Sequence, residues 1–328
     1  MTDKVVILHN KISDNPTTDE LDVLDQVKDV NEALVKLGFE TAIVPFSFDL
    51  NKAIADIKAE NPKFIFNLVE GIDNDGQLIT IAPSILDYLK IPYTGCTKES
   101  MFLTSNKVLT KKILKSSGIP TAEWVTTDGG KDNEFIDGER FIVKATWEDA
   151  SIGLDEDAVV SPKSKEDLIN IIKSKNEKYK IEFFAERYIH GRDFTISMVA
   201  RRQMPLCEVT FFGYYDDDKV RVFDYNAKWV KDTPEYDNTD IDFEFEGVPA
   251  STIEQMQTIA NDCWDLFGLK GYARVDFRID KEGKPFVLEI NPNPCISRGI
   301  MFDKMMHRGG LDYVDGIKAI IEDMKMIY

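Results

Sequence analysis

Along the first ninety residues, short apolar runs typical of buried strands alternate with stretches whose apolar side chains recur at helical spacing. Three mostly apolar runs have the length of buried strands, at residues 4–9, 41–46 and 64–69. Three stretches between and after them carry apolar side chains at helical spacing, at residues 19–37, 51–60 and 77–89. Strands that alternate with helices in this order predict an α/β fold, in which helices cover both faces of a parallel sheet.

The rest of the chain shows the same two periods in a mixed order, which predicts an α+β arrangement there. Helical spacing recurs at residues 105–117, 164–175, 251–267 and 312–326. Strand-like runs lie at residues 122–125, 139–145, 181–188 and 193–200. Residues 214–246 are polar, acidic and rich in turn residues, and a loop of this length is expected to be functional.

Residues 271–298 predict a β-hairpin with one polar face. Apolar and polar side chains alternate along both strands, and Glu282 with Gly283 supplies the turn. This turn sets the register, which pairs Val275 with Ile290, Phe277 with Leu288, Ile279 with Phe286, Asp276 with Glu289, and Arg274 with Asn291.

The predicted pairing of Asp276 with Glu289 points to a cation. Two carboxylates that face each other on adjacent strands repel, and a divalent cation between them reverses that effect. Asp276, Glu289 and Asn291 offer only oxygen ligands, which suit magnesium or manganese rather than zinc or copper. The alternative is a solvated acidic face on an edge hairpin, which is common in acidic proteins.

Composition narrows the classes of partner. The net charge of -18 and the pI near 4.7 argue against a nucleic-acid partner, because binding a phosphate backbone needs clustered cations. The four cysteines are scattered without a CxxC motif, which is typical of a reducing cytoplasm. No apolar run is long enough to span a membrane and no secretory leader is evident, so we expect a cytoplasmic protein.

The hairpin motif, Arg-x-Asp followed by Glu-x-Asn, resembles the magnesium site of the ATP-grasp ligases, and the whole chain is similar to the D-alanine–D-alanine ligase family. The resemblance implies an ATP-grasp fold with an N-terminal parallel-sheet domain (1–97), a central lid domain (98–185) and a C-terminal domain with the metal hairpin (186–328). It also implies ATP, one or two magnesium or manganese ions, and a possible homodimer.

The same resemblance assigns roles to individual residues. It makes Lys107 and Lys144 phosphate ligands, although alone they fit a basic helix face and a solvent-exposed strand end. It places Ser151 in a phosphate-covering flap at residues 146–153, and Lys228 at the γ-phosphate. Arg274 is expected to stabilise the transferred phosphoryl group. Glu186 and the main chain of Arg187, Tyr188 and Ile189 are expected to hold adenine, and Asp193 the ribose.

Residues that would contact the amino-acid substrate differ from the family pattern. The nearest counterparts are Asp22, Glu70 and Cys295, and Ile300-Met301 stands where the family has Ser-Leu; Arg298 is a further candidate contact. For Cys295 the expected contribution is a backbone N–H, with a nucleophilic thiol as the alternative, and Arg298 is either a carboxylate clamp or an exposed arginine.

We therefore hypothesise an ATP-dependent carboxylate–amine ligase that forms an acyl phosphate and uses an amino acid or peptide other than D-alanine. The alternatives are a genuine D-alanine–D-alanine ligase and a non-catalytic ATP-binding regulator.

Overall fold

The computed structural model describes residues 3–13, 16–73, 75–147, 154, 156–215, 220–223 and 225–326. Strands and helices alternate in its first part: β1 (Lys4–Asn10), α1 (Thr18–Lys36), β2 (Glu40–Phe46), α2 (Leu50–Glu60), β3 (Phe64–Leu68) and α3 (Ile81–Leu89). The three strands are parallel in the order β2-β1-β3. The predicted parallel sheet is therefore confirmed.

A four-stranded antiparallel sheet follows, in the strand order β4-β7-β5-β6. Two helices, α4 (Lys98–Ser105) and α5 (Lys107–Ser116), precede it. The sheet and its covering helix consist of β4 (Trp124–Val125), β5 (Phe141–Ala145), β6 (Val159–Val160), α6 (Lys165–Tyr179) and β7 (Phe183–Arg187).

The last part of the chain forms a six-stranded sheet in the order β11-β10-β8-β12-β13, with β9 paired to β8. Its neighbouring strands are antiparallel. Its elements are β8 (Arg192–Val199), β9 (Arg202–Gln203), β10 (Cys207–Phe211), α7 (Tyr225–Trp229), α8 (Pro234–Asp237), β11 (Thr239–Asp242), α9 (Ala250–Leu266), β12 (Tyr272–Ile279), β13 (Pro285–Asn291), α10 (Met301–Arg308) and α11 (Tyr313–Lys325).

Strand β1 separates two hydrophobic cores because successive side chains point to opposite faces of a strand. Val5 and Ile7 share a core with residues of α1, α10 and α11. Val6 and Leu8 share another with residues of α2 and α3. All four side chains are fully buried. Because α11 packs in the same core as Val5 and Ile7, it joins the last part of the chain to the first sheet.

No described helix has both the length and the apolar composition needed to cross a membrane.

The hairpin of β12 and β13 keeps only part of its predicted register. Three pairs are confirmed: Arg274 with Asn291, Val275 with Ile290, and Asp276 with Glu289. The other two are wrong, because Phe277 faces Val287 and Ile279 faces Pro285. The register shifts between Asp276 and Phe277, so Leu288 is an extra residue in a β-bulge. The bulge lets Leu288 and Glu289, consecutive residues, line the same cleft.

Several elements were not predicted from the pattern. Helix α4 precedes the predicted basic helix, and Asn106 separates the two by capping α5, where its side chain accepts from Leu109 N at 2.8 Å. The loop predicted at residues 214–246 contains α7, α8 and β11. Strand β10 and helix α10 are also new. These short elements are set by tertiary contacts, which a single-sequence pattern does not report.

Candidate active site

A cleft with about 950 Å³ of empty space, including its open mouth, lies between the four-stranded and six-stranded sheets. Its walls come from β5 and β7 on one side and from β8, β12 and β13 on the other. It brings together eleven of the predicted site residues: Lys107, Lys144, Glu186, Arg187, Tyr188, Ile189, Asp193, Lys228, Arg274, Asp276 and Glu289.

Glu289 is surrounded by the positive charge of the cleft. Its Oε2 atom lies 3.6 Å from Nζ of Lys107. Burial would raise the pKa of Glu289, but four cations lower it from 4.5 to about 2, namely Lys107, Lys228, Lys144 and Arg274. We call these four residues the cationic end of the site. Lys144 and Arg274 are also paired with Glu186 and Asp276, so the four cations exceed these three carboxylates by one charge, which suits a polyanionic ligand.

Asp276 is held by donors from two strands. The Arg274 guanidinium donates from Nε to Oδ1 and from Nη2 to Oδ2, each at 2.9 Å. From β8, Thr195 donates through Oγ1 to Oδ1 at 2.5 Å. Thr195 was missed in the sequence because its position opposite Asp276 depends on the pairing of β8 with β12.

The oxygen ligands predicted for a metal lie next to one another. Asp276 faces Glu289 across β12 and β13, and Asn291 follows two positions further along β13. This set of hard oxygen donors fits a magnesium or manganese ion. Across the described ranges, no group of three or more His, Cys, Asp or Glu side chains is placed to hold a metal. Asp276 and Glu289 would be the carboxylate ligands of such a site, and Asn291 would add an amide oxygen.

Glu186 forms ion pairs with two lysines. Its Oε2 lies 2.5 Å from Nζ of Lys111 and its Oε1 lies 2.6 Å from Nζ of Lys144. Burial raises the pKa of the Glu186 carboxyl, but the two ammonium groups bring it below its usual value. Lys111 was missed as a site residue. The available signal was its spacing of four residues from Lys107, which places both on one face of α5.

A three-residue hinge, Arg187 to Ile189, joins β7 to the turn before β8. The N–H of Arg187 donates to Glu123 O and that of Tyr188 to Arg140 O, each at 2.8 Å. Both N–H groups are therefore already hydrogen-bonded within the protein. Ile189 N–H makes no bond to a backbone carbonyl within the described part of the chain, which makes it the candidate donor for a base.

Asp193 at the start of β8 is paired with an arginine of the hairpin. Nε of Arg278 lies 2.9 Å from Oδ1 of Asp193, and burial raises the pKa of this carboxyl. Arg278 also donates from Nη2 to Arg221 O at 2.6 Å and lies 4.8 Å from the centre of the Tyr188 ring. It thereby joins the hairpin to the hinge and to the segment before Lys228.

Three of the predicted substrate residues lie close together beyond the hairpin. Sγ of Cys295 donates to Oδ2 of Asp22 at 2.8 Å. Gln26, four residues after Asp22 on α1, donates to Glu70 Oε1 at 3.3 Å and accepts from Ile296 N at 2.9 Å. We call Asp22, Glu70 and Cys295 the acidic end; they are not among the residues that line the cleft described above.

Burial raises the pKa of the Cys295 thiol well above its usual value, and the neighbouring carboxylates of Asp22 and Glu70 raise it further. This environment disfavours the thiolate that a nucleophilic role would need.

Arg298, the fourth predicted substrate residue, is held by α1. Its Nη1 donates to Glu32 Oε2 at 2.7 Å and lies 3.5 Å from Asp29 Oδ1. The guanidinium carbon also lies 4.6 Å from the centre of the Tyr313 ring. Any contact with a substrate carboxylate would compete with these two acids, so the clamp role stays a prediction. Ser151 lies outside the described residues, as does most of the predicted flap.

Comparison with known proteins gives a consistent result. Residues 113–322 match the family model described as the C-terminus of D-Ala–D-Ala ligase. The D-alanine–D-alanine ligase of Aquifex aeolicus is 29% identical over 299 residues, which cover 90% of this chain and 92% of that protein. An uncharacterised protein of Sinorhizobium fredii, y4sG, is 28% identical over 273 residues, covering 81% and 76%.

The fold is also found among solved structures. The D-alanine–D-alanine ligase of Bacillus anthracis, crystallised with ATP, superposes with a TM-score of 0.74 at 22% identity. The match covers 100% of this chain and 98% of that one. The expected ATP-grasp fold is therefore confirmed.

Proposed function

Because this chain belongs to the D-alanine–D-alanine ligase family, we propose that it is an ATP-dependent ligase that joins a carboxylate to an amine. The observation that carries the proposal is the cleft in which Asp276 and Glu289 face each other beside the four cations of the cationic end. The three-domain division at residues 97 and 185 is part of the same proposal.

The cationic end binds and orients the triphosphate of ATP. Lys107 and Lys144 project from two different elements, so they can contact phosphate oxygens from two directions. Asp276, Glu289 and Asn291 would hold the divalent cation, which would neutralise phosphate charge when bound. Ile189 N–H and the Glu186 carboxylate hold the adenine ring, and Asp193 lies where the ribose hydroxyls are expected.

The reaction proceeds in two steps. A substrate carboxylate oxygen bonds to the γ-phosphorus of ATP, and the bond from that phosphorus to the ADP oxygen breaks. The amine nitrogen then bonds to the acyl carbon and phosphate leaves, so that the products are an amide, ADP, phosphate and a proton. Arg274, whose planar guanidinium now binds Asp276, stabilises the charge on the transferred phosphoryl group.

The acidic end binds the amino group of the substrate. Asp22 and Glu70 are acceptors that suit an ammonium group, which supports an amino acid or peptide as substrate. We propose a substrate other than D-alanine, because Asp22, Glu70 and Cys295 all depart from the family pattern. D-alanine itself is the second candidate, favoured by the names of the curated relatives.

The test is phosphate release from ATP and magnesium with a panel of D- and L-amino acids and dipeptides. Products are identified by mass spectrometry, which gives the acid and the amine in one experiment. We expect an amide product whose formation matches the phosphate released. ATP binding without turnover on any member of a broad panel would instead support the non-catalytic regulator.

A further inference from the structure

Lys111 is a buried cation that the reaction described above does not use. Its side chain is 1% exposed, and its ammonium group has three partners at the back of the cleft. Nζ donates to Thr121 Oγ1 at 2.8 Å and to Ala122 O at 3.1 Å, and lies 2.5 Å from Glu186 Oε2. Two of its three N–H donors are therefore used in hydrogen bonds, and the Glu186 carboxylate balances its charge.

The two lysines that share Glu186 differ in what surrounds them. Lys111 is enclosed, and its partner Thr121 donates in turn to Val287 O at 2.9 Å, which links Lys111 to strand β13 of the hairpin. Lys144 reaches the same carboxylate from β5, lines the cleft, and has a side chain that is 13% exposed. Lys111 is therefore fixed, whereas Lys144 is placed to meet a ligand.

Glu186 needs at least one neighbouring cation to stay ionised, and this explains why the difference between the two lysines matters. A buried carboxylate that loses its only counter-charge is strongly destabilised. Because Lys111 stays in place, Lys144 can turn from Glu186 towards a phosphate while the carboxylate keeps one cation. The Oε1 atom that Lys144 leaves then becomes an acceptor facing the cleft. Without Lys111, Glu186 would retain Lys144 or take up a proton, and either change removes that acceptor.

We propose that Lys111 is a positioning residue for nucleotide selection: it holds Glu186 as an ionised acceptor, so that the site prefers a purine with an amino group at position six. The proposal rests on the ATP-dependent function proposed above. An amino group can donate to the Glu186 carboxylate, whereas the carbonyl oxygen of inosine would face it with a second acceptor and be disfavoured.

The experiment compares binding of ATP and inosine triphosphate by calorimetry, with magnesium and without amino-acid substrate. The wild-type protein is expected to bind ATP about tenfold to a hundredfold more tightly, the range for a hydrogen bond to a charged group. In Lys111→Met that ratio is expected to fall to within about threefold, with weaker ATP binding. Lys111→Arg, which keeps the charge, is expected to retain part of the preference.

Lys115→Met is the matched control. Lys115 lies one turn further along α5 and 2.6 Å from Glu134, but this ion pair is at the surface, with side chains 43% and 50% exposed. Both lysines also lie near the Trp124 ring. The ratio of the two dissociation constants should be unchanged in this variant. A general loss of packing would weaken both nucleotides in Lys111→Met, but would leave the ratio intact.

Three outcomes would overturn the inference. If Lys111→Met folds and keeps the wild-type ratio, Lys111 does not position the acceptor, and the ligase function stands. If the wild-type protein binds both nucleotides equally, base selection is absent. If it binds neither, the proposed function fails as well. Should Lys111→Met not fold, Lys111→Gln, which can still bond to Thr121 and Ala122 O, is subject to the same expectations.

Discussion

The two ends of the proposed active site carry opposite charge and are built in different ways. At the cationic end, two strands and two helices carry the four side chains, and Lys107 is only 5% exposed. The acidic end instead joins α1 to the segment after β13 through the contact between Asp22 and Cys295. Rigid strands suit a triphosphate whose charge must be met at fixed points, and a helix–loop junction can vary with the substrate.

The same division was expected from the sequence. There, the residues expected to hold ATP and the metal resemble the family motif, and those expected to contact the amino-acid substrate depart from it. The two ends differ in charge because a polyanion and an ammonium group need surroundings of opposite charge. Each substitution below separates one end from the other.

The largest effect is expected for Asp276→Asn. The change removes one of the two facing carboxylates, so turnover should fall at least about a thousandfold, corresponding to several kcal/mol of lost transition-state stabilisation. Nucleotide binding should also become less dependent on magnesium. The measurements are phosphate release and nucleotide affinity with and without magnesium. Asp265→Asn, at a surface ion pair with Arg201, is the control, and an unchanged rate in Asp276→Asn would reject the assigned role.

A smaller loss is expected for Arg274→Lys. Lysine keeps the positive charge but cannot donate from two nitrogens in one plane. We expect kcat to fall about a hundredfold to a thousandfold while nucleotide affinity changes little, because the interaction strengthens in the transition state. Steady-state kinetics and a binding isotherm separate the two quantities. Arg201→Lys at the surface is the control, and equal losses of affinity and kcat would assign Arg274 to ground-state binding.

The local part of the site could be predicted from the sequence, and the long-range part could not. Arg274, Asp276, Glu289 and Asn291 lie on one hairpin, where alternation and a turn set the register within a few residues. The bulge at Leu288 escaped prediction because a regular alternation runs through it. The fold class could be predicted for a similar reason. Along the first ninety residues, apolar side chains recur at strand spacing in each strand and at helical spacing in each helix.

Contacts between segments that are distant in the sequence could be predicted only with knowledge of the strand order in the sheets. The pairs Lys111 with Glu186, Thr195 with Asp276, and Asp22 with Cys295 join segments separated by 75, 81 and 273 positions. Nothing in the local pattern around either member signals its partner. The sequence places Lys111 on a basic helix, which predicts an exposed side chain, but in the structure this side chain is buried.

The shifted pKa of Glu289 predicts a contribution to acid stability. Its pKa is about 2 when folded and 4.5 ordinarily, so the stabilisation is complete above pH 4.5 and lost as the pH falls towards 2. In Glu289→Gln, the free energy of unfolding should depend less on pH in this window, by up to about 3 kcal/mol. Urea unfolding at pH 7 and pH 3 measures this. Equal pH dependence in both proteins would contradict the lowered pKa.

A substitution at the acidic end should change substrate affinity rather than ATP binding. Glu70→Gln removes a carboxylate near Cys295, so KM for the amino substrate should rise about tenfold, the value of a hydrogen bond to a charged group. The affinity for ATP should not change. Substrate titrations at saturating ATP give the first quantity and calorimetry the second. A rise in the dissociation constant of ATP alone would place Glu70 outside the substrate site.

The smallest effect is expected for Cys295→Ala, which separates backbone from side chain at the acidic end. The proposed contribution of Cys295 is its N–H group, which alanine keeps. The lost thiol is a weak donor to Asp22, so activity should stay within about fivefold, or about 1 kcal/mol.

Iodoacetamide should react slowly with Cys295 in the native protein, because burial and the adjacent carboxylates keep the thiol protonated. Peptide mapping at pH 8 measures this, with the fully buried Cys96 as the internal reference. Rapid labelling at Cys295, with activity lost in both the labelled protein and Cys295→Ala, would restore the nucleophilic alternative. It would also mean that the acidic end performs covalent chemistry that the cationic end does not.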